Sequence, residues 1–422
     1  MCSREPSSQL RQPCGRGAGQ DGQVFSVRVL LSAFQCGPGE GSELGNAWRW
    51  AMALNDLGHE VTVLTPSRYR DAICAKGPQQ VAFSFVDLPE SPLGRISSRL
   101  ETVEVYSRWQ SAAFRHVEAQ QQHYDVAHHV AWGSLHLGSV LWRLKTPLLY
   151  GPIGGGQTAP GHYWRYFGRD WPAETLRTMS TRSLLPLNGR SKATVRNSAV
   201  TLVTNSATAA ACRRLGAADV RYMLAEGLPS DWLASPRTQP SGLPVVLWVG
   251  RLLPRKAPTL AIEAFAALRK SMSARLVMAG DGPLREQVRD AVDRLGLAGD
   301  VDLLGQVSWS EVKTLCDSAS VFLFTSLRDS SGAQFLEALG RGLPAVALDH
   351  HGIGDADTGA AAVKVALPAR PDDLPALLAS ALQQVLTDGE WESRSASGIE
   401  WAAGHIWPAK AAAASRIYEE IA

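Results

Sequence analysis

Two acids that stand eight residues apart, Asp329 and Glu337, are the side chains in this sequence best suited to chemistry. Glu337 lies in a helix pattern whose neighbours are apolar, and a carboxylate that is buried without a polar partner is energetically costly. The sequence therefore predicts that Glu337 contacts either a ligand or an internal cation. The internal alternative is an ion pair with Arg341, which follows four residues later on the same helix.

A small polar turn between the two acids could bind an anion. Ser331 could cap a helix that begins at Gly332, which leaves the amides of Gly332, Ala333 and Gln334 free to meet an anionic group. Gly332 also has no side chain that would keep a ligand away. Two hydrogen-bond acceptors beside an anion site suit a ligand that carries a diphosphate and hydroxyl-rich rings, as a nucleotide sugar does.

Two cations follow the strand pattern Val245–Val249 and its terminal Gly250. Arg251 and Lys256 lie on one loop and could clamp a diphosphate, Arg through forked hydrogen bonds and Lys as a point charge. The alternative is that both are solvated surface charges, and an exposed Lys256 would contribute little to stability. The next strand pattern ends in a GDGP turn that contains Gly282, which by itself indicates only a tight turn.

The N-terminal half offers glycine-rich loops and a pair of histidines. Gly39 and Gly41 follow the first strand pattern, and residues 154–156 are three consecutive glycines after another strand. Glycines let backbone amides approach a substrate, and a plain tight loop is the alternative. His128 and His129 end a further strand, where neighbouring side chains point to opposite faces, so we expect only one of them to face a cleft. A purely structural histidine pair is the alternative.

Repeated alternation of strands and helices surrounds these residues and predicts an α/β protein with two doubly wound parallel sheets. With 422 residues the chain is too long for one ordinary core, and the proline-rich segment 235–244 is interpreted as an interdomain linker. We expect a disordered extension at 1–23, a Rossmann-like domain at 24–236 and a second at 241–405. Ligands of such sheets bind outside the carboxyl ends of the strands.

Composition narrows the function classes. The chain has 42 basic and 40 acidic residues, so nothing in its net charge favours nucleic acid. Its six cysteines are scattered without metal-like spacing, which is typical of reduced thiols in a cytoplasmic protein. We find neither an apolar run of the roughly 20 residues that cross a bilayer nor a secretory signal.

A basic segment at 165–196 suggests a peripheral contact with membrane. Aromatic residues cluster at its start, namely Trp164, Tyr166, Phe167 and Trp171. Basic residues can rest on anionic lipid headgroups while aromatic rings lie at the interface. The alternative is an ordinary solvated basic surface.

The order of these motifs resembles glycosyltransferase family 4, whose members have the GT-B fold and transfer sugars from nucleotide donors with retention. The matching stretches are "VGRL" with Lys256, "VMAGDGP", "VDLLGQVSWSEV" and "DSSGAQFLEALGRGLPAVALD". The family carries two Glu residues separated by seven others, and here Asp329 stands in the first position and Glu337 in the second. The resemblance is strong from 245 to 350 and looser before it.

The resemblance implies two Rossmann-like domains that face each other across a cleft, with the final segment 406–422 returning as a helix to the first domain. It implies that the first domain takes the acceptor and the second the nucleotide sugar. We expect no metal ion, because Arg251 and Lys256 can neutralise the diphosphate and no DxD pair stands at a strand end. The acceptor would be a glycan or a lipid-linked glycan of a bacterial surface polysaccharide or glycolipid. The protein would work in the cytoplasm, with possible contact to the inner face of the plasma membrane.

The resemblance also assigns roles to single residues. Arg251 and Lys256 would neutralise the leaving diphosphate, Asp329 would hold the donor sugar and Glu337 the ribose. One of the two histidines would lie near the transferred sugar. The donor would be surrounded by the loop residues Gly39, Gly41, Gly250, Gly282, Ser331, Gly332 and Ala333.

Two other functions fit the same fold. A sugar-nucleotide epimerase would convert the donor without an acceptor, and a non-catalytic partner subunit would bind the nucleotide sugar and leave it intact. A dehydrogenase is disfavoured, because neither glycine loop has the GxGxxG pattern followed at the usual distance by a ribose-binding acid.

Overall fold

The protein is described by a computed structural model that covers residues 25–39, 42–76, 80–87 and 99–422. The expected extension at 1–23 and Gly41 lie outside these residues. The strands are Arg28–Ala33 (β1), Glu60–Pro66 (β2), Ala82–Val86 (β3), Val126–Ala131 (β4), Leu148–Ile153 (β5), Val200–Val203 (β6), Val220–Tyr222 (β7), Val245–Val249 (β8), Arg275–Ala279 (β9), Val301–Gly305 (β10), Val321–Phe324 (β11), Ala345–Leu348 (β12) and Ala362–Val365 (β13).

The α-helices alternate with these strands. They are Ser42–Asp56 (α1), Arg70–Cys74 (α2), Arg99–Gln120 (α3), Trp171–Met179 (α4), Gly189–Asn197 (α5), Ser206–Leu215 (α6), Pro258–Arg269 (α7), Arg285–Arg294 (α8), Trp309–Ser318 (α9), Ala333–Gly340 (α10), His351–Asp355 (α11), Leu374–Thr387 (α12), Trp391–Ala403 (α13) and Trp407–Ile421 (α14).

Two separate parallel sheets confirm the predicted α/β class. The first has the strand order β3-β2-β1-β4-β5-β6-β7 and the second β10-β9-β8-β11-β12-β13. The order reverses between β1 and β4 in one sheet and between β8 and β11 in the other, which makes both points the expected ligand positions. Strands such as β11 and β12 are buried along their whole length because helices cover both faces of the sheet.

The C-terminal helix α14 packs on the first domain. Its residues Trp407, Ala411 and Tyr418 are buried in the same apolar cluster as Trp50 of α1. Trp407 stands edge-on to Trp50 with a centroid distance of 5.7 Å. Burial of these large rings, each about 150–250 Å², ties the end of the chain to the first sheet.

Local pattern predicted the second domain well. The sequence pattern predicts strands at Val245–Val249, Val321–Phe324 and Ala345–Leu348 and a helix at Trp309–Ser318, and β8, β11, β12 and α9 have these bounds. The other predicted elements there differ by one residue at one or both ends, except that the pattern predicts a helix from Pro283 and α8 begins at Arg285. Helices α11, α12 and α13 and strand β13 were not anticipated, and α12 and α13 belong to the last part of the second domain.

Two stretches of chain cross from one domain to the core of the other. Tyr163, Tyr166 and Phe167, which follow β5 of the first sheet, are buried in an apolar cluster of the second domain. Leu228 and Trp232, which precede the proline-rich segment, are buried in another cluster of that domain. Tyr166 and Phe167 therefore face the protein interior and are not available for the lipid contact that the sequence suggested.

Candidate functional site

Lys256 and Asp329 form a buried ion pair, although they stand 73 residues apart. Lys256 follows β8 and Asp329 follows β11, and these two strands are neighbours at the point where the strand order reverses. Lys256 also donates a hydrogen bond of 3.1 Å to the side chain of Gln334. Only 7% of Lys256 is exposed, so the alternative that it is a solvated surface charge that contributes little to stability is wrong.

Asp329 gathers further partners around its carboxylate. Arg255, which the sequence analysis passed over, approaches it to 3.6 Å, and Ser326 Oγ and the amide of Ser330 donate hydrogen bonds of 3.2 Å and 2.9 Å. Burial by itself would raise the pKa of Asp329, but Lys256 and Arg255 together hold that pKa below its ordinary value. Asp329 is therefore an ionised acceptor in the cleft.

Glu337 does not pair with Arg341. Arg341 instead contacts Asp317 at 2.8 Å and 2.9 Å, so the internal ion-pair alternative is wrong. The Glu337 carboxylate accepts a hydrogen bond of 3.0 Å from the indole of Trp309, at the start of α9. A second indole, Trp232, stacks on Trp309 at 4.1 Å between ring centroids and fixes its position.

The charge state of Glu337 depends on its surroundings. Burial raises its pKa to about 7, and the nearby carboxylate of Glu226 acts in the same direction. The hydrogen bond from Trp309 and the charges of Lys256 and Arg49 oppose this rise. Arg49 comes from α1 of the first domain and lies over the Trp309 ring at 5.7 Å, so both domains influence this carboxylate.

The turn between the acids differs in one detail from the expected cap. Gly332 is itself the residue before α10, with a φ of 71°, and the Ser331 hydroxyl does not cap the helix. Ser331 Oγ donates instead to the carboxylate of Glu226. The amides of Ala333 and Gln334 lie in the first turn of α10, where they have no partner within the helix and can meet an anion.

The loop after β8 meets the loop after β9. A side chain at Gly280 would place its Cβ 1.9 Å from the carbonyl oxygen of Gly250, and one at Gly282 would lie 2.7 Å from that of Leu252. These glycines therefore serve the packing of the two loops. Arg251 is exposed on this surface and makes no ion pair with any residue that the structure describes.

His128 and His129 do not reach the cleft. His128 is fully buried and bonds to Tyr418 at 2.6 Å and to the carbonyl of Gly151 at 2.8 Å. His129 is fully buried between Tyr106 and Ser32, at 3.1 Å and 3.2 Å. Burial lowers the pKa of His128 to about 3 and that of His129 to about 4, so both are neutral structural residues. The expectation that one of them faces the cleft is wrong.

A cavity lies between the carboxyl ends of the first sheet and the turn that contains Ser330. The glycine loop after β5 forms one wall, and a Cβ at Gly154 would stand 3.0 Å from the Cβ of Ser330. Among the described residues that line this cavity, the histidine is His136. Glu226 lines it as well, from the segment after β7.

Sequence reasoning missed His136 and Glu226, although each had a weak signal. Both follow a strand of the first sheet at its carboxyl end, where ligand-binding residues are expected. In the first loop, Gly39 is exposed, and a Cβ at Gly45 would lie 2.6 Å from its carbonyl oxygen, so the loop folds onto the start of α1.

Residues 234–395 match the family profile described as glycosyl transferases group 1. This stretch contains the whole second sheet and both acids. The second domain of the chain belongs to this family. The arrangement of Lys256, Asp329 and Glu337 around the start of α10 is therefore a feature of a group 1 glycosyl transferase domain.

Curated glycosyltransferases are similar to part of this chain. The Campylobacter jejuni protein named GalNAc-alpha-(1->4)-GalNAc-alpha-(1->3)-diNAcBac-PP-undecaprenol alpha-1,4-N-acetyl-D-galactosaminyltransferase is 35% identical over 97 residues, 22% of this chain and 26% of that protein. Other curated relatives are matched over as little as 24% and as much as 39% of their length. The chain thus aligns with well under half of each of them.

Solved structures share the whole fold. The sucrose-phosphate synthase of Thermosynechococcus elongatus superposes with a TM-score of 0.64 at 19% identity, over 93% of this chain and 98% of that one. The Anabaena protein Alr3699/HepE, solved with UDP and glucose, superposes with a TM-score of 0.58 at 16% identity, over 93% and 100%. The chain has the GT-B fold, with the group 1 domain as its second half.

Proposed function

We propose that this protein is a retaining glycosyltransferase that moves a sugar from a nucleotide-diphosphate donor to a glycan or lipid-linked acceptor. The observation that carries the proposal is the cluster of Lys256, Asp329 and Glu337 at the start of α10, inside the group 1 domain. It combines fixed positive charge, free helix amides and carboxylates, which match a diphosphate flanked by hydroxyl-bearing rings.

Lys256 can donate a hydrogen bond to the leaving diphosphate and keep its contact with Asp329. An ammonium group has three N–H donors, and Lys256 uses two of them on Asp329 and Gln334. The third can meet a phosphate oxygen. Arg251, exposed nearby in sequence, would add a second cation, and such preorganised charge stabilises the negative charge that develops on the leaving group. We propose that these cations act without a metal ion, so that a chelator leaves the transfer rate unchanged.

Asp329 and Glu337 would each bind a different part of the donor. We assign the transferred sugar to Asp329, which is ionised, and the ribose to Glu337, whose indole partner leaves other lone pairs free. The acceptor class rests on the curated relative, whose name specifies an undecaprenol-linked glycan.

The decisive experiment screens nucleotide sugars for stabilisation of the protein against heat. UDP-glucose, UDP-N-acetylglucosamine, UDP-galactose and GDP-mannose are suitable probes, because a ligand that binds only the folded state raises the melting temperature. We expect at least one of them to do so by several degrees. If none shifts the melting temperature at millimolar concentration, the proposal fails. Incubation of the stabilising donor without acceptor tests the epimerase alternative, which would yield an isomerised nucleotide sugar.

Glu337→Gln should weaken donor binding about tenfold or more. A hydrogen bond to a charged group contributes about 1.5–3 kcal/mol, and the amide keeps the shape without the charge. In the wild type, donor affinity should also fall as the pH drops below about 7, because Glu337 then takes up a proton. Calorimetric titration from pH 5.5 to 8 measures both effects, and the variant should lose this pH dependence. Unchanged affinity in the variant would remove Glu337 from the donor site.

A membrane contact is the second part of the proposal. Trp164, Leu176 and Leu187 are exposed to 58%, 65% and 79%, and Met179 and Leu184 are also more than half exposed. Leu176 and Met179 stand three residues apart on α4 and so share one face. No helix in the described ranges is long and apolar enough to cross a bilayer. These exposed apolar side chains, together with the exposed Arg169 and Arg182 of the same segment, suit a contact with an anionic bilayer surface.

The purified protein should float with vesicles that contain anionic lipid and detach as the salt concentration rises, because salt screens such contacts. Leu176→Ser combined with Met179→Ser should reduce the floated fraction severalfold. Leu377→Ser is the matched control, since Leu377 is an exposed leucine on α12. Equal flotation with neutral vesicles, or none with anionic ones, would contradict the electrostatic contact.

A further inference from the structure

Glu226 is an acid of the cleft to which no role has been assigned. It follows β7, lines the cavity opposite the glycine loop, and accepts a hydrogen bond from Ser331 of the second domain. It therefore stands where the two domains meet, with its carboxylate at the cavity wall. Its position brings it beside the donor site without making it part of the cluster around Lys256.

Three acids converge here, and each has a different kind of partner. Asp329 has two cations and Glu337 has the Trp309 indole, whereas Glu226 has the neutral hydroxyl of Ser331. Burial raises the pKa of Glu226, and Asp329 adds to the rise while Ser331 and Lys410 oppose it. A carboxylate has about four lone-pair positions, so one hydroxyl leaves it with acceptor capacity.

Lys410 acts on Glu226 through its charge, and burial lowers the pKa of this lysine to about 7. It is a buried residue of α14, its ammonium group donates to the carbonyl of Leu224, and it lies 5.2 Å from the ring centroid of Trp50. Leu224 stands two residues before Glu226 on the same segment. In its protonated form Lys410 favours the ionised form of the Glu226 carboxylate.

The rest of the cavity wall is suited to a polar ring. Asn46, Ser134, His136 and Gln157 all line it and offer both donors and acceptors of hydrogen bonds. Trp50 lines it as well and provides an aromatic surface. The cavity has a volume of about 230 Å³, which is room for a saccharide ring.

We infer that this cavity binds the sugar ring of the acceptor, and that Glu226 accepts a hydrogen bond from one of its hydroxyls. The inference rests on the proposed function, because it names where the accepting saccharide lies relative to the donor. It assigns to the acceptor site a hydroxyl-bearing ring, for which Glu226 is a positioning and specificity residue. Arg177 also lines the cavity. The hydroxyl of Ser331 holds the carboxylate in place.

Binding of simple saccharides tests this directly. The probes are the methyl α-glycosides of glucose, galactose, mannose and N-acetylglucosamine, measured by saturation-transfer NMR with the full-length protein in the presence of UDP. We expect at least one to bind the wild type, and Glu226→Gln to weaken that binding about tenfold or more, as for loss of a charged hydrogen-bond acceptor. Glu226→Asp, which keeps the charge but is one methylene shorter, should give an intermediate loss.

The affinity for the donor separates this inference from the proposed function. At pH 8, where Glu337 is mostly ionised with or without its charged neighbour, Glu226→Gln should keep wild-type affinity for UDP. Calorimetry measures this affinity and also shows that the variant is folded. Glu286→Gln is the matched control, since Glu286 is an exposed acid on α8, and it should bind the glycosides as the wild type does. Glycoside binding that is equal in wild type and Glu226→Gln, or absent from the wild type, would overturn the inference. Failure of every nucleotide sugar to bind would instead overturn the proposed function.

Discussion

Lys256→Ala should slow sugar transfer about a hundredfold, because it removes a preorganised charge from the leaving diphosphate. The same change should lower the free energy of unfolding, since it leaves the partly buried Asp329 without its main partner. Breaking a fully buried pair costs about 3–5 kcal/mol, and we expect about 1–3 kcal/mol here because Arg255 remains 3.6 Å from the carboxylate. Single-turnover kinetics and urea unfolding measure the two effects separately.

The pH dependence of stability provides a second measurement for this pair. The pKa of Asp329 is lower in the folded protein than in the unfolded chain, so its contribution to stability is present above the unfolded value near 3.8 and is lost as the pH falls through the lower folded value. In Lys256→Ala this acid-sensitive contribution should shrink. Lys270→Ala, at the exposed end of α7, is the control and should change neither rate nor stability appreciably. A normal transfer rate in Lys256→Ala would refute the assignment of the cation.

Asp329→Ala should nearly abolish transfer while the affinity for the bare nucleotide stays close to that of the wild type. The reason is that the proposed contact of Asp329 is with the transferred sugar, whereas the nucleotide is bound by the helix amides and by Glu337. The variant also leaves Lys256 buried without its carboxylate, so its stability must be measured beside its activity. Asp329→Asn is the comparison for stability, because its amide keeps a hydrogen-bond acceptor for Lys256 and removes only the charge.

Asp329→Glu provides the matched comparison, since it restores the residue that the family usually carries at this position. We expect partial activity, because the longer side chain must keep the contacts with Lys256, Ser326 and the amide of Ser330. Transfer at the wild-type rate in Asp329→Ala, with UDP affinity unchanged, would show that Asp329 does not hold the sugar.

Features that depend on local sequence were predicted well. The bounds of β8, β11 and β12 follow from short apolar runs between turn residues, and those runs are buried on both faces. The position of Asp329 in the turn after β11 and of Glu337 within α10 follows in the same way, because the turn and the helix come directly after that strand. Adjacency along the chain is enough for such features.

Features that depend on distant partners could not be predicted. His128 and His129 belong to a strand whose two faces are both covered, so both are buried, and the pattern of β4 by itself does not reveal which helices cover it. Tyr166 and Phe167 have the composition of an interfacial cluster, yet they pack into the second domain. Neither arrangement has a signature in the neighbouring residues.

By itself, the sequence determined the α/β class, the two-domain organisation and the acidic turn with its helix, because each of these follows from periodicity and spacing over a few residues. The tertiary structure alone decided which charges meet. Lys256 reaches Asp329 across 73 residues because neighbouring parallel strands bring their carboxyl ends to one edge. Ser331 reaches Glu226 across 105 residues because segments that follow strands of two different sheets meet there. The partner of a buried charge is set by that convergence, since its energy depends on distance in space and not on separation along the chain.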